Sequence, residues 1–238
     1  MDSATGRVTL SAEAPEKAER WTLRVVRDGI AEAVAAAASA DVASADVAMI
    51  VLGNDPHING RETEDRTGIS LPPAQEALLR AVATERPEAV LVVMSSYPYA
   101  VDWADKHLPA VVWTSHGGQE TGRALAGVLL GEAEPSGRLP QTWYRGDDPL
   151  PGRLDYNIIS AGWTYQYHDA APLYPFGHRL SYTSFAYSDL RLSAREAAQD
   201  DTLTVSVELI NTGGARAPRL CSSTLVHSPP ATVRPDAD

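Results

Sequence analysis

The stretch "NGRETEDRTG", residues 59–68, places two arginines and three carboxylates in ten residues. It follows the apolar run "VAMIVLG" and leads into "PPAQEALLRAVA". A charge-rich turn is ordinarily a solvated surface. The chemistry these residue types can add is proton transfer, and the candidates for it are Glu62, Glu64 and Asp65. A carboxyl group that gives and takes a proton needs a pKa near the working pH. Partial burial and a neighbouring acid raise that pKa, while Arg61 or Arg66 lowers it. The string alone leaves open which influence prevails.

The flanking elements decide where such a turn sits. "AERWTLRVVRDGIAEAVAAAASA", residues 18–40, is alanine-rich with apolar residues three and four apart, which predicts a helix. "VAMIVLG", residues 47–53, has strand length, ends in glycine and lacks a polar face, which predicts a strand covered on both sides. The pattern repeats as helix "PPAQEALLRAVATE", strand "AVLVVMSS", loop "YPYAVDWADKHLP" and strand "AVVWTS". Gly117 and Gly118 then open a helix over "QETGRALAGVLLG". Three β-α units imply an α/β fold with an open, mostly parallel sheet flanked by helices as a three-layer sandwich, since a closed barrel needs about eight. Ligands of open parallel sheets sit beyond the carboxyl ends of the strands. The charged turn leaves from such an end.

The α/β texture covers residues 1–131. Residues 132–182, beginning "EAEPSGRLPQTWYRGDDPLPGRLDYN", are rich in proline, glycine and aromatics and read as an ordered excursion completing that domain. Its aromatics Trp143, Tyr156, Trp163, Tyr165 and Tyr167 are expected to pack against the domain. From residue 183 to 238 the period becomes two, in "FAYSDLRL" and "TLTVSVELINTGG", which predicts antiparallel strands with one wet face. An immunoglobulin-like sandwich needs about 100 residues, so this all-β segment reads as truncated. The proline-rich tail from Ser222 suggests a shifted reading frame.

Composition excludes several classes. A formal charge of −11 without a basic cluster argues against nucleic acid. The longest apolar stretch is interrupted by Glu32, Asp41 and Asp46, so no membrane span is expected. The opening "MDSATGRVTL" lacks the pattern of a secretory leader, which gives a cytoplasmic expectation. One cysteine, Cys221, excludes an internal disulfide and a thiolate metal cage, and the six histidines show no ligand spacing. No metal and no cofactor are expected. "HGG" at 116–118 lacks the Gly-x-Ser-x-Gly elbow of a serine hydrolase, and "GGQETG" has the wrong spacing for a dinucleotide.

Three strings carry a resemblance: "ETEDRTGISLPPAQEALLRAV", "SHGGQETGRALAGVLLGEAEPSGRLPQTW" and "PLYPFGHRLSYTSFAYSDL". Together they resemble the C-terminal part of glycoside hydrolase family 3, the β-glucosidases and β-xylosidases, over residues 20–215. The resemblance implies a nucleophilic aspartate on an N-terminal (β/α) barrel, an acid/base glutamate on a loop of the α/β domain, and a fibronectin type III-like domain after it. The family's Glu-Gly-x-Asp-Arg motif falls on residues 62–66, which makes Glu62 the implied proton donor and Glu64 its rival. Thr63 stands where the motif has glycine. Asp65 and Arg66 are expected to brace the loop, and His57 and Asn59 to be able to face a sugar hydroxyl. The implied partner is a β-linked oligosaccharide or aryl glycoside; since no barrel is encoded in this sequence, the nucleophile is expected either on a separate (β/α) barrel polypeptide or to have been lost. The competing expectation is a non-catalytic carbohydrate-binding or scaffold remnant.

Overall fold

The computed structural model describes residues 26–39, 47–55, 66–147, 150–152, 154–196, 198 and 200–215. Glu62, Glu64, Asp65, His57 and Asn59 lie outside the described residues. So do residues 18–25 of the first expected helix and the tail from residue 216.

Helix α1 runs from Gly29 to Ala38. Asp28 caps it, its Oδ1 accepting from the amides of Ile30 and Ala31 at 3.1 and 3.0 Å, which satisfies two of the donors that a helix start leaves unpaired. Helix α2, Pro73–Glu85, begins with proline in its first turn, where the missing N–H costs nothing. Its residues Leu79, Val82 and Ala83 recur at helical spacing and are buried. α1 packs along α2.

Strands β1 (Met49–Gly53), β2 (Val90–Met94) and β3 (Ala110–Thr114) form a parallel sheet in the order β1-β2-β3. Register places Ile50 beside Leu91 and Val51 beside Val92, so alternate residues share a face. On one face Ile50, Leu52, Leu91 and Val93 join Leu79, Val82 and Ala83 of α2 in the core, together with Tyr99, Val101, Ala104, Trp143 and Leu173. The expected α/β architecture with an open parallel sheet is present.

In the α/β domain and the excursion, four expectations need correction. Strand β1 is not covered on both faces: Met49 and Val51 are 57% and 54% exposed, although Val92 beside them is fully buried. The segment after β2 is not all loop, because Asp102–His107 forms helix α3, with Asp102 and Asp105 in its first turn and Lys106 and His107 in its last. Acids in the first turn and bases in the last interact favourably with the helix dipole at both ends. The glycines at 117 and 118 do not open the next helix directly: a 3-10 turn over Gly118–Glu120 precedes helix α4, Thr121–Leu129. The excursion's aromatics divide. Trp143 is buried at 1% exposure, whereas Tyr156 is 84% and Tyr165 50% exposed. A short helix α5 spans Thr164–Tyr167.

Strands β4 (Phe185–Leu192) and β5 (Val205–Asn211) pair antiparallel as a two-stranded sheet. The expected single wet face is not seen in this pair. Tyr187, Leu190 and Leu192 on β4 and Val205, Val207 and Ile210 on β5 are all substantially exposed. Among the described residues, no helix is long and apolar enough to cross a membrane.

Gly53 closes β1 at φ +149, and a Cβ there would fall on the carbonyl oxygen of Met94. Gly53→Ala is expected to destabilise the chain by about 3 kcal/mol, from backbone strain and a displaced strand end. Urea unfolding measures this; an unchanged midpoint would show that the β1–β2 junction tolerates a side chain.

Candidate functional site

The carboxyl ends of the three strands bring Asn54, Ser95 and Ser115 to one edge of the sheet. Each exit is tied down by side chains. Gln75, in the first turn of α2, donates to the Gly53 carbonyl at 2.8 Å and accepts from its N–H at 3.1 Å, as a neighbouring strand would. Asn54 is buried, and its Oδ1 accepts from the Ser96 N–H at 3.0 Å. His116 Nε2 lies 3.3 Å from that same oxygen. Ser95, fully buried, donates to the Tyr97 carbonyl at 2.7 Å while the Trp113 indole N–H approaches its Oγ at 3.1 Å.

Arg66 is the predicted site residue that falls within the described set. It donates from Nη1 to the Pro98 carbonyl at 2.9 Å, and its guanidinium lies 3.6 Å from the centre of the Tyr97 ring. A cation over an aromatic face at that distance is attracted by the ring quadrupole. Burial lowers the guanidinium pKa, and Tyr97, Tyr99 and Asp147 act against that shift. Arginine keeps its charge regardless.

Downstream of Arg66 the backbone is latched by Asp147. Its carboxylate accepts from the Ile69 N–H at 2.5 Å and from the Ser70 hydroxyl at 2.8 Å. A Cβ on Gly68 would meet that carboxylate at 2.6 Å, so the close approach requires glycine. Asp147 belongs to the excursion, which is itself moored to α3. Arg145 donates to Asp102 at 2.7 Å, and the Tyr174 hydroxyl donates to Asp105 at 2.7 Å. The hydrogen bond from Lys106 holds the Asp102 carboxyl below its ordinary range; burial opposes this, and Arg145 adds to it.

Between the Arg66–Ile69 segment, the Tyr97–Pro98 turn and the excursion lies an open cleft of about 800 Å³. Its walls combine rings, among them Tyr144, Trp163, Tyr165 and Phe176, with the polar side chains of Thr67, Gln141 and Thr142. Among the described residues no cluster of three or more His, Cys, Asp or Glu side chains is arranged to hold a metal ion. The sequence reading missed Asp147, Gln75, Asn54 and Tyr97. "GDD" at 146–148 and "PPAQE" at 72–76 carry no local signal of long-range contact.

The model of the glycosyl hydrolase family 3 C-terminal domain matches residues 4–182. Thermostable β-glucosidase B of Acetivibrio thermocellus is 35% identical over 206 residues, 80% of this chain and 26% of that enzyme. Periplasmic β-glucosidase of Salmonella typhimurium is 37% identical over 196 residues, 77% of this chain and 25% of that enzyme. The crystal structure of a family 3 β-glucosidase from Bifidobacterium adolescentis superposes with a TM-score of 0.66 at 30% identity, covering 77% of this chain and 28% of that one. The chain thus spans about a quarter of the length of the curated relatives it matches.

Two measurements test this geometry. Asp147→Ala leaves the Ile69 amide and Ser70 hydroxyl without their acceptor and is expected to cost about 1–3 kcal/mol in urea unfolding, whereas Asp147→Asn, which keeps an acceptor oxygen, costs less. Equal losses for the two would remove the latch. The second test concerns pH. Burial raises the phenol pKa of Tyr99, and burial together with the Asp105 hydrogen bond raises that of Tyr174. The folded chain then holds these protons more tightly than the unfolded chain, whose tyrosines titrate near about 10. The associated stability is complete below that pH and is lost as pH rises beyond it. Thermal midpoints should therefore fall above pH ~10, and less steeply in Tyr99→Phe and Tyr174→Phe; parallel curves for all three proteins would contradict the assignment.

Proposed function

The chain belongs to glycoside hydrolase family 3 through its C-terminal domain, and from that premise we propose that it supplies the acid/base carboxylate of an exo-acting, retaining β-glycosidase. Glu62 is assigned that role and Glu64 is the rival position. One observation carries the reading. The described segments on either side of residues 56–65, Gly53–Asp55 and Arg66–Ser70, lie at the carboxyl edge of a parallel sheet, and the second of them lines an open cleft. That edge is where open α/β sheets present chemistry.

Retaining hydrolysis needs two carboxyl groups about 5–5.5 Å apart, one attacking the anomeric carbon and one protonating the departing oxygen. In this proposal Glu62 protonates the leaving oxygen and later takes a proton from the attacking water. The nucleophile comes from a (β/α) barrel that this proposal requires beside the domain. The substrate is a terminal β-linked sugar, in an oligosaccharide or an aryl glycoside. Asp65 and Arg66 brace the loop, and His57 and Asn59 are assigned to sugar hydroxyls. Relatives named as β-glucosidases and relatives named as β-xylosidases both match, so the sugar itself is not assigned. A cytoplasmic location stays part of the proposal, although one relative is named as periplasmic.

A second reading, a non-catalytic carbohydrate-binding or scaffold remnant, is favoured by one feature. Thr63 occupies the motif position where glycine gives the loop its conformational freedom.

Assays on an aryl β-glucoside separate the two. The purified chain alone is expected to show negligible turnover. Adding a separately produced family 3 barrel is expected to restore hydrolysis, and Glu62→Gln to reduce the restored rate about 10²–10⁴-fold, the usual contribution of a positioned proton donor. Ordinary turnover by the chain alone would refute the divided site. A rate that survives Glu62→Gln but not Glu64→Gln would move the acid to Glu64, and no rescue by any barrel would leave the inert reading.

A further inference from the structure

Both faces of the β4–β5 ribbon are exposed, but they are not alike. Cross-strand partners share a face, and so do alternate residues along each strand. The register pairs Tyr187 with Leu209, Leu192 with Val205, Ser188 with Glu208 and Arg191 with Ser206. Between Ser188 and Arg191, β4 places two residues, Asp189 and Leu190, where β5 places one, Val207. This is a β-bulge, and it shifts the alternation of β4 by one position. Tyr187 precedes it and Leu190 and Leu192 follow it, yet all three come to the face of Val205, Val207 and Leu209. The opposite face carries Ser188, Arg191, Ser206 and Glu208, and across it the Ser188 hydroxyl donates to Glu208 at 3.1 Å.

The bulge is held in a sparsely populated backbone conformation. Asp189 has φ +55, a left-handed conformation that aspartate enters more readily than most residues other than glycine. Arg191 donates twice to its carboxylate, at 2.8 and 2.5 Å. The register puts no charged side chain on the apolar face. There Tyr187, Leu190, Leu192, Val205 and Val207 range from 38% to 70% exposed. They leave about 450 Å² of apolar side chain open, the size of the largest patch on a typical monomer, which is often functional. A two-stranded ribbon is marginal by itself and gains independent stability when more strands or packing cover its hydrophobic face.

The chemistry of the face selects its cover. A charged partner finds no counter-charge on it. The sequence from residue 216 onward is interrupted by Pro218, Pro229, Pro230 and Pro235 and has no run of alternating apolar residues to match it. A second copy of the same face does match. We propose that this face is a self-association surface, on which two copies of the chain pack their β4–β5 ribbons face to face about a two-fold axis. The product is a four-stranded sandwich with its sheets about 10 Å apart, which leaves Arg191 and Glu208 in water. It buries about 900 Å² of apolar surface, short of the about 1,200–2,000 Å² of stable complexes, so pairing is reversible, with a Kd on the order of tens of micromolar. The contact involves none of the residues assigned to catalysis.

Sedimentation equilibrium of the full chain from about 1 to 300 μM brackets that affinity. The weight-average mass should rise from one chain to two, and added salt should not reverse it, since no charges meet in the contact. Leu190→Lys and Val205→Lys each put a charge on the apolar face at an exposed position and should weaken pairing at least about tenfold. Ile210→Lys, on the opposite face, should leave it within about twofold of the parent. Circular dichroism shows whether each variant is folded. A chain that is monomeric throughout, whether the ribbon stays open or is covered by residues 216–238, overturns the proposal. So does pairing that folded Leu190→Lys and Val205→Lys retain, or that Ile210→Lys loses equally, because the contact would then lie at a strand edge or elsewhere.

Discussion

The burial of β2 between two parallel neighbours is the constraint on which the rest of the structure depends. Leu91, Val92 and Val93 have no exposed surface, and the strand is paired along both edges. Parallel pairing sends all three chains out at the same edge, so polar residues that follow the strands must meet there. Buried polar groups have to be hydrogen-bonded. At this edge Asn54 satisfies that demand by accepting from the Ser96 N–H, and Ser95 by donating to the Tyr97 carbonyl and accepting from the Trp113 indole N–H. A rim assembled in this way is a fixed surface from which a loop can leave.

That rim is held by side chains acting in place of backbone. β1 has no hydrogen-bonded strand on its outer side among the described residues, and at its last residue Gln75 takes the part of one. Further along, the carboxylate of Asp147 does for the amide of Ile69 what a strand carbonyl would do. At Asp147 the side chain comes so close to the backbone that a glycine is needed beside the contact. Gly68 shows this directly, since a methyl group there would meet the Asp147 oxygens. Rigid positioning and intolerance of substitution arise from the same contacts.

How legible this was in the sequence depended on whether the signal was local. β1, β2 and β3 were evident as short apolar runs, and α2 from its leading prolines and the spacing of Leu79, Val82 and Ala83. Helix α3 was missed because "YPYAVDWADKHLP" has proline and aromatics at both margins, although Asp102 and Lys106 already stood four apart with the charge order a helix favours. The first helix was drawn across residues 18–40 because alanine content carries no boundary, while Asp28, the side chain that caps Gly29–Ala38, was passed over. For the candidate site, the motif at residues 62–66 was legible only through resemblance, since its charges are those of any solvated turn. Its surroundings were not legible at all. The hydrogen bond from Ile69 to Asp147 spans 78 positions, and nothing near either residue encodes the other.

Stability and positioning converge on one helix. Parallel sheets ordinarily need cover on both faces, yet Met49 and Val51 leave one face of β1 open to solvent. The cohesion of β1 therefore comes chiefly from the face that carries Ile50 and Leu52, where α2 packs. On α2 the buried residues Leu79 and Ala83 continue, at intervals of four, the stripe that begins with Gln75. The first turn of the stripe pins the exit of β1, and the next two bury its side chains. A change that rotates or lifts α2 to relieve packing at Leu79 must also carry the Gln75 amide away from Gly53. The geometry of the rim and the stability of the sheet are thus one variable in this protein, so variants of α2 will not improve one while leaving the other where it was.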